Sequence, residues 1–317
     1  MKIVFIGSSK FGLRCLEFLN LLKCCTVTGA ITAPSKFKIS YKPEGVTNVL
    51  YADIPHYCLK NEIPHETINC GMNDSGLLEK VREWRPDAYI VSGWYHMIPK
   101  SWRDVAPAYG LHASLLPDYS GGAPLVWAMI NGENKTGITL FQMDGGVDSG
   151  PIVGQIEERI YTQDTIASLY ERIENRGLEL LDVFIPKLST GSIEPKIQDE
   201  SKRRIFPQRT PEDGKIDWSL DALSIERFIR AQTRPYPGAF TIVDGERLII
   251  WEGEMISCTG KQPEVGTITF SDGFFHAICG ENKIKIKKIN FKGLEYEGTS
   301  LRDVFGGRCI NKFKNAL

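Results

Sequence analysis

The first 31 residues hold two short apolar runs separated by one amphipathic segment. Lys2–Ile6 is β-branched and aromatic and ends at Gly7, which is typical of a buried strand in a parallel sheet. Apolar residues in 12–22 recur with the period of a helix, and residues 27–31 are again strand-like. Because this order forms a right-handed β-α-β unit, the sequence predicts an α/β fold with a Rossmann-like parallel sheet.

Two connections in this region carry no clear ligand motif. Residues 7–12 lack the G-x-G-x-x-G spacing that brings a backbone close to a pyrophosphate, so a tight turn into the helix is the better interpretation. Residues 33–50 are rich in lysine, proline and glycine, and we predict a solvated loop there.

A buried strand at Ala88–Val91 runs into an aromatic segment at residues 92–99. Ligands of open α/β sheets bind at the carboxyl ends of the strands, and this segment places Trp94, Tyr95 and His96 there. The three rings can line a binding pocket or pack into the core, and the sequence leaves both interpretations open.

The C-terminal third is predicted to be a second, smaller domain. Asp244-Gly245 and Asp272-Gly273 lie between apolar runs and predict two β-hairpins. Residues 283–289 alternate lysine with isoleucine, as in a strand with one buried face. We therefore place a catalytic domain at residues 1–203, and at residues 204–317 a helix with an antiparallel, barrel-like β-domain.

Charge and composition narrow the classes of function. The net charge of −1 argues against a broad nucleic-acid or anionic-membrane surface, because phosphate groups bind basic faces. The eight cysteines form no C-x-x-C pair, so we interpret them as reduced thiols and expect no metal site. No apolar run approaches the roughly 18 residues that span a bilayer, and the N-terminal run is too short for a secretory signal. We expect a cytoplasmic protein without a membrane partner.

His112 and Asp148 each lie on a loop shaped by glycine or proline that follows an apolar strand. An imidazole titrates near neutral pH, and a neighbouring carboxylate orients it and favours its charged form. The two residues are therefore candidates for a proton-transfer pair. Their spacing alone also fits a loop histidine and a turn aspartate without a catalytic role.

The block from residue 110 to residue 150 resembles the signature of the folate-dependent formyltransferases. His112, the Ser-Leu-Leu-Pro run at 114–117, Gly121, Pro124 and Asp148 match that signature in type and spacing. The resemblance implies that His112 and Asp148 are catalytic and that N10-formyltetrahydrofolate is the co-substrate. It also implies a folate site formed by Trp94, Tyr95, His96, Ser114, Asp144, Gly145, Gly146 and Val147.

One catalytic position departs from the family. Gly110 stands where the family usually has an asparagine that holds the formyl oxygen as negative charge develops on it. Losing one such donor costs on the order of 100-fold in rate. We expect the oxyanion in this chain to rely on His112, on backbone N–H groups or on water.

The resemblance continues at residues 209–240, which are most similar to enzymes that formylate amino sugars, including the UDP-4-amino-4-deoxy-L-arabinose formyltransferase. It implies that Arg209, Thr210 and Tyr236 contact the acceptor, a nucleotide-linked amino sugar of the kind used for surface polysaccharide such as lipopolysaccharide.

Other functions stay open. A methionyl-tRNA formyltransferase would need basic surfaces, whereas basic and acidic residues nearly balance in residues 239–317, so we expect no nucleic-acid partner. A formyl-folate hydrolase and a catalytically weakened binding homologue also fit a formyltransferase signature that lacks the asparagine at position 110. The chain could also act as a homodimer.

Overall fold

The computed structural model of this chain describes residues 1–39, 42–68, 71–259 and 263–304. Its N-terminal part contains a seven-stranded sheet and the helices that connect the strands. In chain order the elements are β1 (Lys2–Ile6), α1 (Lys10–Leu21), β2 (Thr26–Thr32), β3 (Lys36–Ile39), β4 (Lys42–Thr47), α2 (Ile54–Lys60), β5 (His65–Thr67), α3 (Ser75–Glu83), β6 (Ala88–Val91), α4 (Lys100–Arg103), β7 (Ala108–His112), β8 (Ser120–Gly121), α5 (Pro124–Ile130), β9 (Lys135–Gln142), β10 (Ile152–Arg159), α6 (Ile166–Ser189) and β11 (Ile205–Phe206).

The strand order of the large sheet is β10-β9-β7-β6-β1-β2-β5. The strands from β7 to β5 run parallel, whereas β9 is antiparallel to β7 and β10 is antiparallel to β9. Ile3, Val4, Phe5 and Ile6 of the central strand β1 are fully buried, as expected for a strand covered on both faces. The predicted α/β class is confirmed, and the sheet adds an antiparallel edge that the prediction did not contain.

The tight turn predicted after β1 leads directly into α1. Ser9 caps the helix by accepting a hydrogen bond from the backbone N–H of Gly12 at 3.0 Å. A Cβ atom at Gly12 would lie only 2.8 Å from the carbonyl oxygen of Ser92. Glycine is therefore needed here for close backbone approach, and not for contact with a pyrophosphate.

The prediction of a loop at residues 33–50 is wrong in part, because β3 and β4 pair there as an antiparallel hairpin. Phe37 is buried and its neighbours Lys36 and Lys38 are exposed, so the strand alternates between core and solvent. The Phe37 ring lies 5.2 Å from the Tyr95 ring, between ring centroids. A segment whose composition favoured a loop thus contributes a buried aromatic residue to the core.

The C-terminal part is a six-stranded antiparallel sheet with one helix of three turns. The order is β12-β13-β16-β15-β14, with β17 also paired to β16. Asp244 and Gly245, and Asp272 and Gly273, all have positive φ as two-residue hairpin turns require, so both predicted hairpins are confirmed. The elements are α7 (Ala222–Gln232), β12 (Ala239–Val243), β13 (Glu246–Ile256), β14 (Ile268–Ser271), β15 (Phe274–Ile278), β16 (Lys283–Phe291) and β17 (Leu294–Glu297), and short 3-10 helices cover Glu200–Lys202, Pro211–Gly214 and Gly298–Asp303.

One face of this sheet buries its apolar residues under α7. Ile225 and Ile229 of the helix belong to the same buried cluster as Ile284 and Ile286 of β16, and Trp218 is fully buried with them. The lysines that alternate with these isoleucines are only partly exposed. The alternation predicted from residues 283–289 is therefore confirmed.

Two compact units can be distinguished by their internal contacts. One comprises Met1–Pro124, Lys135–Arg159 and Glu171–Pro207, and the other comprises Leu125–Asn134, Ile160–Tyr170 and the chain from Gln208. The division of function between residues 1–203 and 204–317 stays a prediction.

The packing of β2 against the end of α3 is expected to tolerate no side chain at Gly29. A Cβ atom there would overlap the Trp84 ring, because the indole lies directly on the glycine backbone. We expect Gly29→Ala to reduce the free energy of unfolding by about 1–3 kcal/mol, the usual cost of overpacking. Chemical denaturation monitored by circular dichroism measures this change. Gly145→Ala is the matched control, since its nearest neighbour would be 3.8 Å away.

Candidate active site

The sheet brings the two residues of the predicted proton-transfer pair together. His112 is the last residue of β7, and Asp148 lies on the loop between β9 and β10. The His112 Nδ1 and Asp148 Oδ2 atoms are 3.6 Å apart, and the side chains are only 11% and 18% exposed. Their proximity follows from the pairing of β7 with β9, which puts the end of one strand beside the loop that follows the other.

The other nitrogen of the His112 ring is engaged by the backbone. Nε2 lies 2.8 Å from the carbonyl oxygen of Tyr119. A carbonyl oxygen can only accept, so Nε2 must carry a proton. The Nδ1 atom, which faces Asp148, is therefore the nitrogen that can gain or lose a proton during a reaction.

The Asp148 carboxylate has a second partner. Its Oδ2 atom accepts a hydrogen bond of 2.8 Å from the backbone N–H of Gly121. Asp148 has a φ of 52°, a left-handed conformation that aspartate adopts more readily than most residues. Gln198 donates from Nε2 to the Asp148 carbonyl at 2.8 Å. The backbone N–H of Gly121 therefore holds the carboxylate, and the Gln198 side chain holds the backbone carbonyl of the same residue.

Two further residues hold the loop that follows His112. Thr139 of β9 donates to the carbonyl of Ser114 at 2.7 Å and accepts from the N–H of Leu116 at 3.2 Å. Gln155 of β10 donates to the carbonyl of Leu116 at 2.8 Å. Sequence reasoning missed Thr139, Gln155 and Gln198. A polar residue inside an apolar strand is the signal that could have identified Thr139.

Gly110 lies two residues before His112 on β7 and therefore on the same face of the strand. A Cβ atom added there would be 3.0 Å from the Phe141 ring and 3.3 Å from the Met143 side chain. The position is thus lined by an aromatic ring and a thioether. Neither group can donate a strong hydrogen bond to an oxyanion.

The predicted folate-binding aromatic residues form a cluster with Phe37. The His96 ring lies 5.4 Å from the Trp94 ring and 5.6 Å from the Phe37 ring, between centroids. Trp94 and Tyr95 also pack against the buried cluster of the large sheet, so the core-packing interpretation applies to them, whereas pocket lining stays a prediction. His96 Nε2 is buried and has no hydrogen-bond partner among the residues that the structure describes, and burial lowers the pKa of His96. A neutral imidazole here can offer one donor or acceptor to a ligand.

The remaining predicted folate residues differ in accessibility. Ser114 is buried, and its hydroxyl donates to the carbonyl of Asp118 at 2.8 Å, so it stabilises its own loop. Asp144 Oδ1 accepts from the N–H of Gly146 at 2.9 Å and from the Ser149 hydroxyl at 2.7 Å. Gly145, Gly146 and Val147 are exposed. Folate contact by any of these residues stays a prediction.

The three predicted acceptor residues lie in the second compact unit. The Arg209 guanidinium stacks on Trp127 at 4.6 Å and donates to Gln232 Oε1 at 2.8 Å, and burial lowers its pKa. Thr210 donates from its backbone to Asp213 at 2.6 Å and caps a 3-10 helix. The Tyr236 hydroxyl lies 2.6 Å from that of Tyr170, and burial raises the pKa of Tyr236. These contacts stabilise the unit, and an acceptor role for the residues stays a prediction.

Surface features elsewhere do not define the site. A cleft of about 570 Å³ lies between α2, β5 and α3 and includes neither His112 nor Asp148.

Within the described ranges, no group of three histidine, cysteine or acidic residues could hold a metal ion. No helix of those ranges is both long and apolar enough to cross a membrane.

The strand order is that of an α/β fold, with a histidine at the end of β7 and a carboxylate on the facing loop. The family described as "Formyl transferase" matches residues 1–183, and the family described as "Formyl transferase, C-terminal domain" matches residues 209–299. The chain belongs to the formyl transferase family, as its motifs predicted. The predicted enzyme class, a formyltransferase, is likewise confirmed.

Relatives of known structure or sequence differ in their acceptors. The chain is 31% identical over 301 residues to the methionyl-tRNA formyltransferase of Caldanaerobacter subterraneus subsp. tengcongensis, covering 92% of this chain and 93% of the relative. It shares its fold with an N-formyltransferase of Helicobacter canadensis solved with folinic acid and dTDP-3-aminofucose (TM-score 0.66, 18% identity, 90% and 98% coverage). It also resembles HypX of Aquifex aeolicus solved with tetrahydrofolic acid (TM-score 0.63, 17% identity, 96% coverage), and it spans about half of that protein, 47%.

We predict that His112→Asn and His112→Ala lose formyl transfer, because Nδ1 is the ring nitrogen placed to exchange a proton beside Asp148. Loss of such a general acid–base group lowers kcat by about 100-fold or more. Single-turnover formyl transfer measures the effect, and thermal unfolding checks that the variants fold. A variant that retains more than about a tenth of the wild-type rate would show that His112 does not move the proton.

A second prediction concerns the apolar wall at Gly110. Gly110→Asn would restore a side-chain donor, but its Cβ would lie 3.0 Å from the Phe141 ring and 3.3 Å from the Met143 side chain, so these neighbours must move slightly apart. We expect kcat to fall in Gly110→Asn and to fall less in Gly110→Ala. A rise towards 100-fold in the asparagine variant would mean instead that the pocket accommodates the donor. Equal rates in both variants and the wild type would show that position 110 does not face the reacting carbonyl.

Proposed function

We propose that this chain transfers the formyl group of 10-formyltetrahydrofolate to the amino group of a nucleotide-linked amino sugar. The observation that carries the proposal is charge pairing in the C-terminal sheet. Lys287 Nζ lies 2.9 Å from Glu254 Oε2, and Lys288 Nζ lies 3.0 Å from Glu297 Oε2. Two arginines of the same unit are paired in the same way, Arg234 with Glu295 and Arg247 with Glu212.

This pairing counts against a polyanionic acceptor. A tRNA substrate would need several basic side chains free to neutralise successive phosphates. In the C-terminal sheet carboxylates neutralise these cations, whereas a nucleotide sugar carries only one diphosphate and needs few cationic contacts. The similarity of residues 209–240 to sugar enzymes supports the same choice.

The reaction requires one proton to be taken and one to be returned. A neutral amine attacks the formyl carbon, and the new C–N bond forms as the carbonyl electrons move onto oxygen. His112 Nδ1 accepts the amine proton, and Asp148, 3.6 Å away, stabilises the imidazolium. When the bond from carbon to the folate N10 atom breaks, the imidazolium returns the proton to that nitrogen.

Stabilisation of the oxyanion falls to groups other than a side chain at position 110. Gly110 has none, and its neighbours Phe141 and Met143 are apolar. Both ring nitrogens of His112 are engaged, Nε2 by the Tyr119 carbonyl and Nδ1 by proton transfer beside Asp148. Backbone N–H groups of the surrounding loops are therefore the donors that the chain offers. Such preorganised donors act strongly in a site where the side chains are mostly buried.

Methionyl-tRNA is the second candidate acceptor. The 31% identical relative is a methionyl-tRNA formyltransferase and is covered over 93% of its length. The β3–β4 hairpin also presents the exposed Lys36 and Lys38, which could contact phosphates. The two candidates differ in the number of phosphate contacts and therefore in their salt dependence.

We predict that UDP-, dTDP- or GDP-linked amino sugars raise the Tm of the protein, more so with a folate present, since ligands that bind only the native state stabilise it. We expect at least one of them to be formylated. Binding of tRNA should be weak, without formylation of methionyl-tRNA. Turnover assays with each acceptor, and hydrolysis of 10-formyltetrahydrofolate without acceptor, measure these outcomes.

Each opposing result has a distinct meaning. Efficient formylation of methionyl-tRNA, with affinity that falls steeply with salt and depends on Lys36 and Lys38, would replace the sugar by the tRNA. Formate release without transfer to any amine would indicate a folate hydrolase. Ligand binding without turnover would indicate a binding homologue.

A further inference from the structure

Residues 198–206 follow α6 and cross the two loops that carry the candidate catalytic pair. We refer to them as the strap. They include the basic run Lys202-Arg203-Arg204, which is typical of a solvated hinge or of an anchor for a phosphate. The side chains of the strap instead make specific contacts within the first compact unit.

The strap first holds the loop of Asp148. Gln198 is buried, and its Nε2 atom donates to the carbonyl oxygens of Asp148 at 2.8 Å and of Gly150 at 2.6 Å. Because both partners only accept, the amide orientation of Gln198 is determined by its surroundings. Arg203 donates to the carbonyl of Val147 in the same loop. Three carbonyl groups of one loop are thus held by two side chains.

The strap also holds the loop that follows His112. Arg204 forms a bidentate pair with Asp118. The distance from Nε to Oδ1 is 2.7 Å, and the distance from Nη2 to Oδ2 is 2.6 Å. Asp118 Oδ1 in turn accepts from the N–H of Tyr119 at 2.9 Å. Since Tyr119 is the residue whose carbonyl faces His112 Nε2, Arg204 acts on His112 through two intermediate contacts.

A short parallel β-ladder between β8 and β11 connects the strap with the loop that follows His112. The N–H of Ser120 donates to the carbonyl of Arg204 at 3.0 Å, and that of Gly122 donates to the carbonyl of Phe206 at 2.9 Å. Between them, the N–H of Gly121 is left to donate to Asp148. The Tyr119 and Phe206 rings stack at 4.5 Å beside this ladder. β11 therefore fixes the one backbone donor that holds the carboxylate.

We propose that the strap is a positioning element for formyl transfer, in which Gln198 sets the Asp148 loop and Arg204 sets the Tyr119 carbonyl. The inference rests on the proposed roles of His112 and Asp148 but not on the identity of the acceptor. Misplacing catalytic groups by about 1 Å can cost about 100-fold in rate, so a segment without a reacting group can control kcat.

The test separates positioning from folding and from the identity of the acceptor. Gln198→Glu keeps the shape but removes the donors, and Arg204→Met keeps length but removes the bidentate pair. Gln163→Glu and Arg82→Met make the same chemical changes at exposed sites and serve as controls. ¹⁵N NMR of the His112 ring in the resting protein reports its tautomer without any substrate, and the chain has only five histidines.

We expect the wild-type His112 to be protonated at Nε2 when neutral, and the Nδ1-protonated form to appear in Arg204→Met, because the Tyr119 carbonyl is then no longer held against Nε2. In Gln198→Glu the Nε2-protonated form should persist, because Gln198 contacts only the Asp148 loop. In both variants kcat should fall by about 10- to 100-fold with KM for the folate within about twofold, while Tm stays near that of the controls. Arg204→Lys should retain part of the rate.

Unchanged His112 resonances and an unchanged kcat in Arg204→Met would overturn the inference, even if Gln198→Glu failed to fold. Arg204 is half-exposed, so this variant is expected to fold. A wild-type protein that formylated no amine would contradict the proposed function alone, because the tautomer measurement needs no turnover. A rise in KM for the acceptor with unchanged kcat would assign the strap to phosphate binding instead.

Discussion

The candidate site depends on the position of one oxygen atom, Oδ2 of Asp148, because three segments of the chain contact or hold this residue. It accepts from the N–H of Gly121, faces Nδ1 of His112 and belongs to a loop held by Gln198. The N–H of Gly121 orients the carboxylate, and Gln198 holds the backbone carbonyl of the same residue. Because these partners come from different segments, the geometry of the pair is fixed by the tertiary fold and not by either loop alone.

This arrangement explains how the site can differ from its relatives at Gly110 and stay organised. Position 110 supplies no donor, and its neighbours Phe141 and Met143 would be crowded by a Cβ atom. The imidazole is nevertheless held at Nε2 by a backbone carbonyl, so its orientation needs nothing from that position. On the proposed roles, a missing donor at position 110 concerns the stabilisation of the oxyanion and not the orientation of His112.

Exposed groups of an enzyme determine which acceptor it binds, and this chain gives two different indications of its acceptor. Its identity to a methionyl-tRNA formyltransferase extends over nearly the whole length. Lys287 and Lys288 of its C-terminal sheet, in contrast, are paired with the carboxylates of Glu254 and Glu297. Overall sequence identity reports mainly the shared core, whereas an acceptor is recognised by a few exposed groups, so the charge pairing is the more direct guide to the substrate.

The sequence by itself determined the elements whose signal is local: the apolar strands β1 and β6, the hairpin turns at Asp244 and Asp272, and the family motif around His112. It did not predict the hairpin at residues 36–47, because the composition of this segment is typical of loops. The pairing of its strands and the burial of Phe37 appear only in the folded chain. Only the tertiary structure decided which nitrogen of His112 is free and which residues hold Asp148. Gln198 and Arg204 lie 50 and 86 residues from their partners, and no local pattern specifies contacts at such separations. They arise only when the sheet pairs β8 with β11 and closes the strap over both loops.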